Sequence, residues 1–202
     1  MARTKFPQLM LRGISGVFIS KDMKVVSQCP NAYSKANRML GLIKRNIKHK
    51  SKDIMLRLYK SVVRPHVEYC TSAWYPYYKK DIELIEKTQH RFSRLFPDLE
   101  DKPHHERLKN LSQWTIEERR NRADMIEVFK VMKGSSNVSL NLLFVIDRIS
   151  RTRGHSLKIV KQRFLSTARQ YSFLQRVIAC WNSPDKAVSS TTVNGLKKQL
   201  NC

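Results

Sequence analysis

The chain has 202 residues, 41% of them apolar, and only six glycines, so there is enough apolar surface for a core, and neither wholesale disorder nor a loop-rich all-β fold fits. It carries 39 basic residues against 16 acids, a formal net charge of +23. A core does not need that surplus, and the usual partner for such a field is a polyanion.

The charge is uneven. Between Lys35 and Arg64 there are ten Lys or Arg and one acid, Asp53. Eleven of the sixteen acids fall between Asp81 and Glu127, where nine bases nearly balance them. From Arg148 to Pro184 there are eight bases and no acid. Two basic blocks therefore flank a nearly neutral middle.

In chain order, the first residues are rich in bases and free of acid up to Asp22, which mildly imitates a mitochondrial presequence; Pro7, Gly13 and Gly16 interrupt any helix there. Residues 14–20 are rich in β-branched side chains and predict a short strand. A helix is expected from about Asn31, with Ala32, Ala36, Met39, Leu40, Ile43 and Ile47 on one face. Lys35, Arg38, Lys44, Arg45 and Lys48 largely occupy the remainder. That remainder is either a solvated face or a phosphate-facing stripe, and the scarcity of acids for i,i+4 pairs favours the stripe.

Ser51 caps a second predicted helix, with Ile54, Met55, Leu58, Tyr59, Val62 and Val63 as its stripe. Pro65 should break or kink it, and residues 66–74 should resume as helix. Tyr75, Tyr77 and Tyr78 beside Lys79 and Lys80 read first as packing, with nucleotide stacking as the alternative. A third helix opens near Asp81, with Ile82, Ile85, Phe92, Leu95 and Phe96 inward. Residues 97–103 read as a linker, and 104–111 as a short helix.

Thr115 and Glu118 form a capping box that starts a helix running to about Lys133, with Ile116, Ala123, Ile126 and Phe129 inward and Gly134 as its stop. Residues 157–164 alternate partly and suggest a strand. Helices are expected at 171–182, burying Phe173, Leu174, Val177, Ile178 and Trp181, and around Val193, Leu196 and Leu200. The fold class is thus mainly α: a helical bundle over 30–96 and a second helical, basic segment over 104–202, with a few short strands and a strand and turn over 1–29.

Signatures of chemistry are missing. There is no P-loop or dinucleotide fingerprint, no zincin or nucleophile-elbow motif, and no paired-aspartate strand for two-metal chemistry. The four cysteines lack zinc spacing and read as reduced thiols, with Cys70 and Cys180 in cores. His104, His105 and Glu106 read as a surface helix start. No cofactor and no metal are expected, and no run approaches membrane-span length.

The blocks NRMLGLIKRN, LYKSVVRPHVEYC, AWYPYYKKDIELIEKTQHR, ERLKNL, ERRNRADMIEVFKVMKG, RTRGHSLKI and RVIACWNS, in that order, resemble the C-terminal end of a LINE-type, jockey-like non-LTR retrotransposon reverse transcriptase. The similarity spans about Gly13 to Leu200. It implies a thumb-like bundle and tail that follow a polymerase palm and hold template and primer. The palm's catalytic aspartates, in a motif of the F/Y-A-D-D kind, have no counterpart here, so the expectation is a truncated fragment that binds RNA or DNA without polymerase activity. A relic without function and a protein-interaction module are the alternatives. The positions implied to contact nucleic acid are Lys35, Arg38, Lys44, Arg45, Lys60 and Arg64, and then Arg151, Arg153, His155 and Lys158 of the R-x-R-G-H turn. Trp74 and Trp181 also match and read as core anchors. The implied partners are RNA or DNA and an intact reverse transcriptase, with no membrane and no small-molecule substrate, in the nucleus or cytoplasm.

Overall fold

The computed structural model describes residues 11–12, 17–19, 25, 27–49, 51–136, 138–147, 155, 157–183 and 192–200. The fold is mainly α, in two compact units. The first is Met1–Cys70 with Pro76–Gln113, and the second is Thr71–Tyr75 with Trp114–Cys202.

In the first unit, β1 (Leu11–Arg12) and β2 (Phe18–Ile19) pair antiparallel, Leu11 opposite Ile19 and Arg12 opposite Phe18. Helix α1 (Gln28–Asn46) begins three residues before the expected Asn31 cap. Val25 supplies the first acceptor, to the amides of Gln28 and Cys29, and the Gln28 side chain accepts from Phe18 N at 3.0 Å. Cys29, Ala32, Ala36, Leu40 and Ile43 are buried along one side of α1. The two alanines allow close approach of neighbouring helices.

The next stretch departs from expectation at Pro65. Helix α2 (Lys52–Leu58) does not break but opens into a π-turn over Tyr59–Val63, and α3 (Arg64–Glu68) continues from it. In a regular helix the Pro65 ring would collide with the Ser61 carbonyl. The π-turn widens the coil there, and Arg64 N reaches back to Tyr59 O. It also straightens the buried stripe. Met55, Tyr59, Val63 and Val67 recur every four residues and all have 0% exposure. A spacing of four outruns a turn of 3.6 residues, and the wider turn takes up the difference. Ile54 and Val62, expected inside, are exposed.

Helix α3 ends at Glu68 rather than running to Trp74, because Tyr69 is extended and Cys70 takes a positive φ of 54°. Helix α4 (Lys79–Ser93) lays Ile85 and Phe92 against α1 and the π-turn. Phe92 stacks on Tyr59 at 4.1 Å and meets Phe96 edge-on at 5.4 Å. The expected linker at 97–103 contains a 3₁₀ turn (Pro97–Leu99) inside this unit, and the boundary between units falls at 113/114. Helix α5 (His104–Asn110) is tied down by the buried Arg107, whose Nε donates to Ser93 Oγ at 3.0 Å.

In the second unit, α6 (Ile116–Met132) starts with the predicted capping box. Thr115 Oγ1 accepts from Glu118 N at 3.1 Å, and Glu118 Oε2 accepts from Thr115 N at 2.8 Å. It stops in a Schellman motif: Gly134 N donates to Val131 O and Ser135 N to Lys130 O, with Gly134 at φ 67°. The inward face is turned from the expected one. Met125, Val128 and Val131 join Phe129 in the core, while Ala123 and Ile126 are half-buried.

Helices α7 (Leu140–Leu143) and α8 (Thr167–Gln170) are single turns. Helices α9 (Phe173–Asn182) and α10 (Val193–Gln199) pack on α6 and add Val177, Ile178, Trp181 and Leu196 to the core. The strand expected over 157–164 is one bridge, Ile146 to Ile159. Its other edge is occupied by a side chain. Asn182 Oδ1 accepts from Ile159 N at 2.9 Å, and its Nδ2 donates to Ile159 O at 2.8 Å. Trp181 Nε1 adds a bond to Leu157 O at 2.8 Å.

Candidate nucleic-acid interface

Helix α1 sets the geometry of the first unit's basic surface. At about 100° per residue, Arg38 and Arg45 point directly away from the buried Ala32, Ala36, Leu40 and Ile43, and Lys35 and Lys44 flank them. All four side chains are exposed. No acid occurs between Gln28 and Asn46, so the helix offers them no carboxylate. Lys44 and Arg45 also sit in the last turn, where a cation is favoured by the helix dipole. Lys35 lies 5.8 Å from the Phe18 ring. Its ammonium, after burial, helps hold His66 of α3 below the usual histidine value, so α3 adjoins this end of the surface.

Lys60, on the π-turn, is exposed. Arg64 is not comparably available, because its Nε donates to Glu68 Oε2 at 2.7 Å. Lys52, which the sequence reading did not single out, donates to the Asn110 carbonyl at the end of α5. The expected contacts thus separate into a group that faces solvent (Lys35, Arg38, Lys44, Arg45 and Lys60) and one cation held by its own helix.

In the second unit, Arg151 and Arg153 lie outside the described residues. His155 and Lys158 are placed and are largely internal. Leu157 N donates to His155 Nδ1 at 3.2 Å, so Nε2 carries the proton and donates to Trp181 O at 2.8 Å. Both imidazole nitrogens are engaged, with the ring edge-on to Trp181 at 5.7 Å. Lys158 is 8% exposed. His155, Leu157 and Ile159 are thus gripped by Trp181 and Asn182 of α9.

Sequence reasoning missed a buried charge cluster in the same unit. Arg176 donates to both Asp124 oxygens, at 2.8 and 3.0 Å, and to Thr71 O at 2.9 Å. Its guanidinium lies 4.6 Å from the Tyr75 ring centre. Arg120 lies 3.9 Å over Trp74 and donates to the Trp74 carbonyl at 3.1 Å. Burial pushes the Asp124 carboxyl up, and Arg176 and Arg120 pull it back. Burial, with Glu117 next, pushes the Tyr75 phenol up to about 12, and that hydroxyl donates to Asn121 Oδ1 at 2.9 Å. A cavity of about 100 Å³ opens beside Tyr75, Asp124, Tyr171, Arg176 and Cys180, well short of the ~300 Å³ at which small-molecule sites begin.

The thiols also differ from expectation. Among the described cysteines Cys29 is buried, Cys70 is half-buried and Cys180 is exposed. Trp74 and Trp181, read as anchors, are each 1% exposed. Further exposed bases that the sequence reading passed over are Arg57 on α2 and Lys161 and Arg163 in the acid-free run after 148. Among the described residues no group of three or more His, Cys, Asp or Glu is placed to hold a metal, and no helix is long and apolar enough to cross a membrane.

No family model, no curated protein and no solved structure matches this chain.

Proposed function

We propose that this chain is a nucleic-acid-binding module that grips template–primer RNA or DNA by its phosphates and performs no chemistry of its own, acting in the nucleus or cytoplasm. That role is the one implied by the resemblance to the post-palm region of LINE-type reverse transcriptases. The observation that carries the reading is the outward face of α1: Arg38 and Arg45 opposite the core, Lys35 and Lys44 beside them, and no acid along the helix. Exposed cations on a helix without acids are available to release counterions from a phosphate backbone, which is the main source of sequence-independent affinity. No residue here occupies the place of the palm aspartates, so polymerase activity is not part of the proposal.

The test is filter binding to single- and double-stranded RNA and DNA across a salt series. The expected result is a steep linear fall of log K with log salt; a slope near zero refutes the proposal.

A second reading rests on Leu42, Ile54 and Val62, apolar side chains exposed in the first unit. It makes the module a docking surface for an intact reverse transcriptase. Co-purification with that enzyme that survives nuclease treatment favours it over the first reading.

A further inference from the structure

Three tyrosines lie together in the sequence beside two lysines, and the structure separates them. Tyr75 is used inside the second unit, its hydroxyl on Asn121 and its ring under Arg176. Tyr77 and Tyr78 belong to the first unit, with ring centres 4.4 Å apart at a 43° tilt. Tyr77 is half-buried, and Tyr78 stands in solvent at 41% exposure. Lys79 and Lys80 follow it at the start of α4, both exposed, and the Lys80 ammonium lies 5.8 Å from the Tyr78 ring centre.

An exposed aromatic ring with one ammonium over it and a second exposed lysine next in the chain is suited to a single-strand binding surface. The ring offers a π-face to a base of any identity once the flexible Lys80 side chain, which lies over that ring, swings aside to a phosphate, and the adjacent Lys79 is exposed for a second one. Contact with Tyr77 on one side restricts where the Tyr78 ring can point, so less freedom is lost when a base settles on it. A duplex cannot use this arrangement, since its bases are already stacked on one another. Tyr59, by contrast, is fully buried against Phe92 and is closed to any ligand.

We infer that Tyr78 is a stacking platform for one unpaired base of single-stranded nucleic acid, with Lys79 and Lys80 on the flanking phosphates. The inference rests on the reading of the chain as a nucleic-acid binder and adds to it the strandedness of the ligand at this position.

The test uses the full chain and fluorescence anisotropy with two labelled single strands of equal length and charge, one intact and one abasic through its centre. Tyr78→Ala should weaken binding to the intact strand roughly 5- to 150-fold, the equivalent of one lost stacking contact, and leave the abasic strand's affinity unchanged. Tyr78→Phe should keep wild-type affinity on both strands. Tyr78→Leu, which retains apolar bulk without a π-face, should lose affinity as alanine does. Equal affinity of wild type and Tyr78→Ala for the intact strand overturns the platform, and so does an equal loss on both strands. If salt-dependent binding persists in those cases, the wider reading survives; if wild type binds neither strand, both fall.

Discussion

The sharpest test of the α1 surface is the double substitution Arg38→Gln with Arg45→Gln. Both side chains point away from the core and are exposed, so stability should move by less than about 0.5 kcal/mol. Take Arg38, Lys44, Arg45 and Lys60 as one phosphate contact each on a single strand, leaving out Lys35, which lies over the Phe18 ring. The slope of log K against log salt is then about −2.8 for wild type and about −1.4 for the double variant, at roughly 0.7 per contact. Between about 50 and 200 mM salt the wild-type affinity should fall about 50-fold, and that of the variant only about 7-fold. Filter binding at four or five salt concentrations measures both slopes, and a urea melt confirms that the variant is folded. Two coincident slopes, with wild type still steep, would show that the phosphates lie elsewhere and would remove α1 from the interface.

Three further substitutions probe basic residues that serve the fold. His155→Ala should lower stability by about 1–3 kcal/mol through loss of its two backbone hydrogen bonds while leaving the salt slope unchanged; a thermal melt and the same binding assay read the two effects. Arg176→Met strands the carboxylate of Asp124, which is 3% exposed, and should cost about 3–5 kcal/mol in urea unfolding, with Asp124→Leu in the same chain recovering most of it. His90 stacks on His104 at 3.4 Å, and burial first, then His104, Arg107 and Arg94, hold it below the usual value while Glu86 pulls it up. The unfolded chain therefore binds this proton more readily. Stability should be full above about pH 6.5 and fall as pH drops from there toward the folded value, and His90→Gln should flatten that fall in urea midpoints.

What was legible in the sequence was local. Thr115 and Glu118 announce a helix start and Gly134 its stop, because each bond involved closes within a few residues. The α1 face was legible because its period lies within one element. Arg120, Asp124 and Arg176 were not, because the partners that make their burial tolerable are 46, 52 and 105 residues away in the chain. A charged residue on a helix reads as solvated unless those distant groups are known. The same limit hid the role of His155, whose second partner is 26 residues on. The π-turn failed to show for a different reason. Pro65 signals a defect, but whether a helix kinks or widens is settled by the stripe it must keep aligned, here Met55 through Val67 on the first unit's core.

Net charge alone is weak evidence for a phosphate ligand, because part of it never reaches the surface. Arg107, Arg119, Arg120 and Lys158 are buried, and Arg176 is committed to Asp124 and Thr71. Desolvating a guanidinium is costly, and carbonyls, aromatic faces and a carboxylate offset that cost in the second unit. Those cations hold the fold together and cannot be lent to a ligand without dismantling it. The α1 cations face the opposite situation: they are exposed on a helix that carries no acid to offset them. A polyanion would supply that offset and release its counterions at the same time. The distinction between the two sets, rather than the total of +23, is what supports α1 as the proposed gripping surface.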